Sequence, residues 1–192
     1  TEEIISTLVA GNAPINSWGV GTHMVTGGNE SSFTGVYKLA ARHDAKSDSM
    51  IPAMKFSDNP AKTTNPGIKN VYRLFDENGM ACADILTLED ETIEVGKENK
   101  FYHPMVDYRQ FNFTPAKIEP LLKKRLENGE RLEKRLPDSE QLIISRNTMQ
   151  AQLETFDESY KRLLNPHIYK VSLSENLKDL KKKFIEDNLA LR

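Results

Sequence analysis

Trp18-Gly19-Val20-Gly21-Thr22, arriving just after Ala13-Pro14-Ile15-Asn16, sets two glycines and a hydroxyl behind an aromatic anchor. Glycine at 19 and 21 permits φ > 0 and lets an anion approach backbone N–H groups with no Cβ in the way. Thr22 adds a hydroxyl donor and can cap whatever follows. Phosphate is the natural guest of such a turn. A tight turn between two packed elements would use the same residues, so the surroundings must decide. The stretch reads as a short buried strand running into the turn, and Gly19, Val20, Gly21 and Thr22 become the candidate phosphate-binding residues.

The other chemistry-bearing residues offer less. His23 follows the turn directly, but it has no paired carboxylate nearby, and a helix start or pocket wall is the simpler role. His43 lies in a polar loop, His103 precedes a proline, and His167 sits in an Asn-Pro-His turn suited to ending a helix. No two histidines have ligand spacing, so no metal site is expected. Lys38, Lys55 and Ser57 fall on expected strands next to the turn in sequence, where a lysine can reach pyrophosphate; solvent-facing strand positions explain them as well. Glu89-Asp90-Glu91 suggests magnesium, yet three adjacent acids cannot all face one ion on a regular strand. A solvated junction is the better reading. Cys82, the single cysteine, excludes an internal disulfide and multi-cysteine metal sites, and reads as a small buried filler.

The elements that must position these residues come from a chain of 192 residues, 38% hydrophobic and 28% charged. That allows one sizeable domain, or the tail of one and a second small one, with an adequate core. A net charge of −2 gives no general nucleic-acid surface, and Lys181-Lys182-Lys183 reads as a solvated helix face. No apolar run approaches the ~18 residues of a spanning helix, and no signal peptide is visible. No membrane partner is expected, and the cytosol is the expected compartment. Glu2 to Val9 reads as the end of a helix stopped at Gly11-Asn12. Helix, glycine stop, strand and phosphate-type turn is the rhythm of a βα unit already in progress, so a piece of a longer chain is expected.

After the flexible Gly27-Gly28-Asn29 loop, Val36 to Arg42 and Ile51 to Phe56 read as a strand pair around a polar loop at 44–49. Asn59 to Gly67 reads as an extended loop. Lys69 to Phe75 and Ala81 to Leu88 flank Asn78-Gly79, the preferred pair for a type I′ turn, and a two-residue turn would set Arg73 opposite Asp84. Composition shifts near Glu89 to Asn99, dividing the chain into 1–95 and 96–192. The second part opens with Phe101-Tyr102, Tyr108, Phe111 and Phe113. Lys117 to Leu132 suits a helix or a hairpin at Asn128-Gly129, and the hairpin is preferred. Asp138 is the expected N-cap of one long helix striped by Leu142, Met149, Leu153, Phe156, Tyr160 and Leu163, ending at Asn165-Pro166. Tyr169-Lys170-Val171 is a short extended piece, and Ser174 caps a last helix carrying Leu177, Leu180 and Phe184.

In this order the segments resemble nicotinate phosphoribosyltransferase. The resemblance rests on Ile15 through Thr22, Gly35 to Leu39, Lys55-Phe56-Ser57, Lys62-Thr63-Thr64-Asn65-Pro66-Gly67, Lys69 to Arg73 and Leu88 to Glu91. Asn165 to Ser174 resembles the end of the longer, bacterial-type members, and the similarity covers essentially the whole chain. It implies an α/β fold, α+β in its C-terminal part. These would be the closing segments of a type II phosphoribosyltransferase barrel and sandwich, followed by a small C-terminal domain of hairpins and helices. It further implies ATP-coupled conversion of nicotinate and phosphoribosyl pyrophosphate to nicotinate mononucleotide, in a homodimer. Gly19, Val20, Gly21 and Thr22 match the family turn that holds the 5′-phosphate, and Asn16 departs from the acid common there. The family's catalytic histidine and its pyrophosphate and metal contacts belong to the preceding two-thirds of the enzyme. No catalytic residue is therefore assigned here; ATP and Mg belong to the intact enzyme, and the missing N-terminal portion becomes an implied partner.

Two other readings remain. A non-catalytic protein-interaction module would use the same hairpins and helices, but has no use for an intact phosphate turn. A transferase acting on nicotinamide or quinolinate would leave the Thr-Thr-Asn-Pro-Gly and Asn-Pro-His segments unexplained.

Overall fold

The computed structural model describes residues 1–28, 31–32, 35–59 and 62–190; the loop readings at Asn29, Pro60 and Ala61 fall outside them. The helices are α1 (Glu2–Ala10), α2 (Thr22–Thr26), α3 (Asp138–Glu154), α4 (Glu158–Lys161) and α5 (Glu175–Ala190). The early strands are β1 (Ala41–Asp44), β2 (Ser49–Pro52), β3 (Lys69–Phe75), β4 (Ala81–Leu88) and β5 (Asn99–Tyr102). The later ones are β6 (Gln110–Phe113), β7 (Lys117–Pro120), β8 (Leu126–Glu127), β9 (Glu130–Arg131) and β10 (Lys170–Leu173). They form two compact units, one from Thr1–Tyr37 with Glu158–His167, the other from Lys38–Asp157 with the chain from Ile168 on.

In the first unit α1 stops where Gly11-Asn12 predicts, although Asn12 takes the left-handed turn at φ 51 while Gly11 stays at φ −79. The expected buried strand before the glycine turn does not form. Trp18 is 36% and Val20 43% exposed, and no strand pairs with them among the described residues. A strand exists only beside a neighbour that takes its N–H and C=O groups.

The second unit is built on a mixed six-stranded sheet in the order β6-β5-β10-β4-β3-β7, drawn from both sides of residue 95. Alternate residues of β4, from Ala81 to Thr87, are buried, as period-2 side-chain placement requires. Leu74, Ala83, Ile85 and Phe101 form the core cluster, with Tyr72, Ile93, Phe111, Phe113 and Ile118 packed around it. Of the expected strands Val36 to Arg42 and Ile51 to Phe56 only Ala41-Arg42 and Ile51-Pro52 are in strand; β1 and β2 shift into the expected polar loop and pair from Ala41↔Pro52 to Asp44↔Ser49. The hairpin at 128–129 is present, with Asn128 at φ 49 and Gly129 at φ 83, both signs that a type I′ turn needs.

Two expectations fail instructively. At 78–79 only Gly79 has positive φ, and Asp76 pairs with Met80 around a three-residue loop. The Asp76 carboxylate accepts the N–H groups of Asn78 (2.9 Å) and Met80 (2.8 Å), an Asx-type closure that outcompetes the tighter turn. A bulge between Leu74 and Phe75 then restores the register, so Arg73 still faces Asp84. The long helix also breaks, at Thr155, because the Thr155 carbonyl accepts the Ala81 N–H at 2.8 Å and its hydroxyl donates back to Gln152 O at 2.7 Å.

Candidate functional site

α1 and α2 bracket the glycine turn. A cleft of about 370 Å³ is lined by Thr1, Ile4, Ile5 and Trp18, by Gly19 to Thr22, and by His23. An added Cβ on Gly19 or Gly21 would meet no atom within 4 Å, so the backbone lies open to a ligand. Neither glycine uses positive φ, contrary to the sequence expectation. Gly21 occupies the cap position of α2 at φ −124, and Thr22 is the first helical residue rather than the cap. The Gly21 carbonyl accepts the N–H groups of Met24 (3.0 Å) and Val25 (3.1 Å), whereas the N–H groups of Gly19 to Thr22 take no backbone carbonyl among the described residues. His23 lines the cleft, and its Nδ1 would lie 3.2 Å from a Cβ placed on Gly28, so the pocket-wall role fits the geometry.

The remaining sequence candidates do not join that turn within its unit. Lys38, Lys55 and Ser57 belong to the second unit, and none lies on a strand. Lys55 is clasped through its backbone, donating to Thr64 Oγ1 at 2.9 Å, with its side chain exposed. Glu91 turns inward, accepting the Leu88 N–H at 2.6 Å and the Ser174 hydroxyl at 2.7 Å, while Glu89 and Asp90 stay exposed. Its role is structural. Burial pushes the Cys82 thiol pKa up, which suits a filler. His167 donates its N–H to Ser159 O and sets its ring edge-on to Tyr160, as a turn residue would. Among the described residues no three His, Cys, Asp or Glu side chains converge on a metal position.

Sequence reasoning reached only half of the most organised polar cluster. Arg73 grips Asp84 with both arms, Nε–Oδ1 at 2.8 Å and Nη2–Oδ2 at 2.9 Å. Its third donor reaches Gln152 Oε1 at 2.6 Å, its guanidinium lies 4.7 Å from the Phe156 ring centre, and the Tyr169 hydroxyl donates to Asp84 at 3.0 Å. The hydrogen bond to Asp84 raises the Arg73 pKa. Burial, and then the Asp84 carboxylate, push the Tyr169 phenol far up. The strand register revealed Arg73–Asp84; partners about 80 residues away left no local signal. The cluster joins β3, β4, the end of α3 and the entry to β10, and every arm of it is occupied by protein. It is a clamp.

A family profile described as "Nicotinate phosphoribosyltransferase C-terminal domain" matches residues 68–181. Over 180 residues the chain is 34% identical to the nicotinate phosphoribosyltransferase of Homo sapiens, covering 93% of this chain and 31% of that protein. It is 33% identical to the Bacillus subtilis (strain 168) protein of that name over 184 residues, covering 91% of this chain and 35% of the relative. The crystal structure of human nicotinic acid phosphoribosyltransferase superposes with a TM-score of 0.56 at 31% identity, over 64% of this chain and 24% of that one. The chain thus spans about a third of the length of these relatives.

Proposed function

This chain belongs to the nicotinate phosphoribosyltransferase family, and from that premise we propose that it is the C-terminal part of such an enzyme. The reaction joins nicotinate to the phosphoribosyl group of phosphoribosyl pyrophosphate, releasing pyrophosphate, with ATP hydrolysis coupled to it. The observation that carries this reading is a one-third identity sustained over more than nine-tenths of the chain.

Gly19, Val20, Gly21 and Thr22 are assigned the 5′-phosphate. Their unblocked backbone, the Thr22 hydroxyl and the open space beside both glycines support that role. Fixing the phosphate fixes the ribose, and orientation of this kind accounts for a large part of the barrier reduction in group transfer. These residues hold and orient; the groups that react lie in the part of the family enzyme that this chain does not match. ATP and magnesium are likewise assigned to the intact enzyme, which we take to be a cytosolic dimer. No helix among the described residues is long and apolar enough to cross a membrane.

A chimera tests the reading. This chain replaces the matching C-terminal third of the Bacillus subtilis relative, and nicotinate mononucleotide formation is followed with nicotinate, phosphoribosyl pyrophosphate and ATP. The expected result is turnover well above that of the relative truncated at the same point. Gly21→Val in the chimera should raise KM for phosphoribosyl pyrophosphate tenfold or more and leave KM for nicotinate within about twofold, since the added side chain occupies the anion's approach. A folded chimera as inactive as the truncated relative would overturn the proposal.

A further inference from the structure

One wall of a second cleft, about 520 Å³, is a stripe of α5 on which Lys178, Lys181 and Lys182 are followed by Ile185 and Leu189. His103, Pro104, Met105 and Asp107 supply another wall, Phe56 and Thr63 contribute to the lining, and Leu173 of β10 lies among them. At a helical rise of ~1.5 Å per residue the ammonium end and the aliphatic end are centred about 10 Å apart, so the cleft is polarised along its length. Lys181 Nζ donates to Pro104 O at 2.9 Å and Lys178 Nζ to Asp107 O at 3.1 Å. Backbone carbonyls thus fix both cations, and among the described residues neither has a carboxylate within ion-pair distance. Of the acids in the lining, Glu186 faces Lys182 at 3.8 Å, Asp107 acts on Lys181 from farther off, and Asp58 is exposed. His103 Nδ1 accepts the N–H groups of Met105 (3.2 Å) and Val106 (3.1 Å), which leaves Nε2 as a donor.

We propose that this cleft binds a free medium-chain aliphatic carboxylate, its head between Lys178 and Lys181 and its chain along Ile185 and Leu189. A ten-carbon chain spans the distance between the two ends. The size lies within the usual range of small-molecule sites, and the fixed donors meet the head while the aliphatic wall meets the tail. None of Gly19 to Thr22 lines the cleft, and the proposal stands apart from the phosphoribosyl reading.

Titration calorimetry of the 192-residue chain with hexanoate, octanoate, decanoate and 1-decanol decides it. Saturable 1:1 binding is expected, tightening by up to about fifteenfold for each added pair of methylenes. Decanoate should bind at least tenfold tighter than decanol, because the alcohol offers the lysines no charge. Lys181→Met should erase that preference with decanol binding unchanged, and Ile185→Asn should weaken both ligands. Lys183→Met, outside the lining, should change neither. If Lys181→Met fails to fold by circular dichroism, Lys178→Met makes the same test. Equal binding of acid and alcohol, no dependence on chain length, or no saturable binding below about 1 mM would overturn the proposal.

Discussion

Arg73 shows how much one side chain can organise. Its side chain is 13% exposed and that of Asp84 15%, so the pair is mostly withdrawn from water. Arg73→Met leaves Asp84 and Gln152 without their cation and removes the group stacked on Phe156. Breaking a fully buried pair costs ~3–5 kcal/mol; at this exposure a loss of about 2–3 kcal/mol is expected in urea unfolding. Tyr169→Phe removes one hydrogen bond to a charged acceptor and should cost about 1.5–2 kcal/mol at neutral pH. Alkali separates the two forms of residue 169. The folded phenol pKa is raised, so its contribution is fully present below the unfolded value of ~10 and is lost as pH rises above it. Unfolding followed from pH 8 to 11 should therefore find wild-type stability falling faster than that of Tyr169→Phe above pH ~10. Equal slopes would mean that the phenol is not held protonated by the fold. Asn65 makes the opposite case, because its Oδ1 is buried with no hydrogen-bond partner among the described residues. Asn65→Leu removes that unpaired acceptor and should raise stability by about 1 kcal/mol in the same assay.

At the scale of elements, capping and turn chemistry mark what the sequence could say. Ser174 was legible as a helix cap: its Oγ accepts the Leu177 N–H at 3.3 Å and its hydroxyl donates to Glu91, at 7% exposure. Ser174→Ala leaves a buried N–H and Glu91 short of a partner and should cost about 1–2 kcal/mol. A loss below a few tenths would show that water replaces the hydroxyl. The β3–β4 ladder was legible from Lys69 to Leu74, because strong alternation lies within one short window, but the turn that closes it was not. Nor was β10. Tyr169-Lys170-Val171 look like a short extended piece, yet Lys170 to Leu173 form a strand between β4 and β5 at the middle of the sheet. Parallel pairing with β4 depends on a partner more than 80 residues earlier, and local periodicity carries no trace of that. The break at Thr155 was illegible for the same reason: the helical stripe continues in sequence, but a strand amide has taken the carbonyl the helix needed. The glycine turn divides likewise. Its residue types revealed the open backbone, whereas the strand expected to deliver it needs neighbours that the described residues do not place there.

Burial over the whole molecule is uneven. Apart from Pro66 and Pro115 in loops, the buried apolar residues among those described lie on β3, β4, β5, β10 and α5, whereas α1 and α3 bury none. On α3, Leu142 is 70% and Ile143 60% exposed, and in the first unit Val36 is 80% and Tyr37 93% exposed. An isolated helix of 17 residues is only marginally stable in water, because propagation hardly offsets its nucleation cost. Opening free energies should therefore form a gradient rather than a single value. In native-state hydrogen exchange on the 192-residue chain, amides of β3, β4 and β10 should exchange through global unfolding. Those of α1, α3 and residues 18–23 should exchange faster by two or more orders of magnitude, equivalent to ~3 kcal/mol. The same chain should form no nicotinate mononucleotide alone. In the active chimera, protection should rise at Gly19 to Thr22 when phosphoribosyl pyrophosphate is added and stay level in β3 and β4, because only the turn changes its hydrogen-bond partners. Equal protection of α3 and β4 in the isolated chain would mean that the helix has found cover of its own, and the expected gradient would fall.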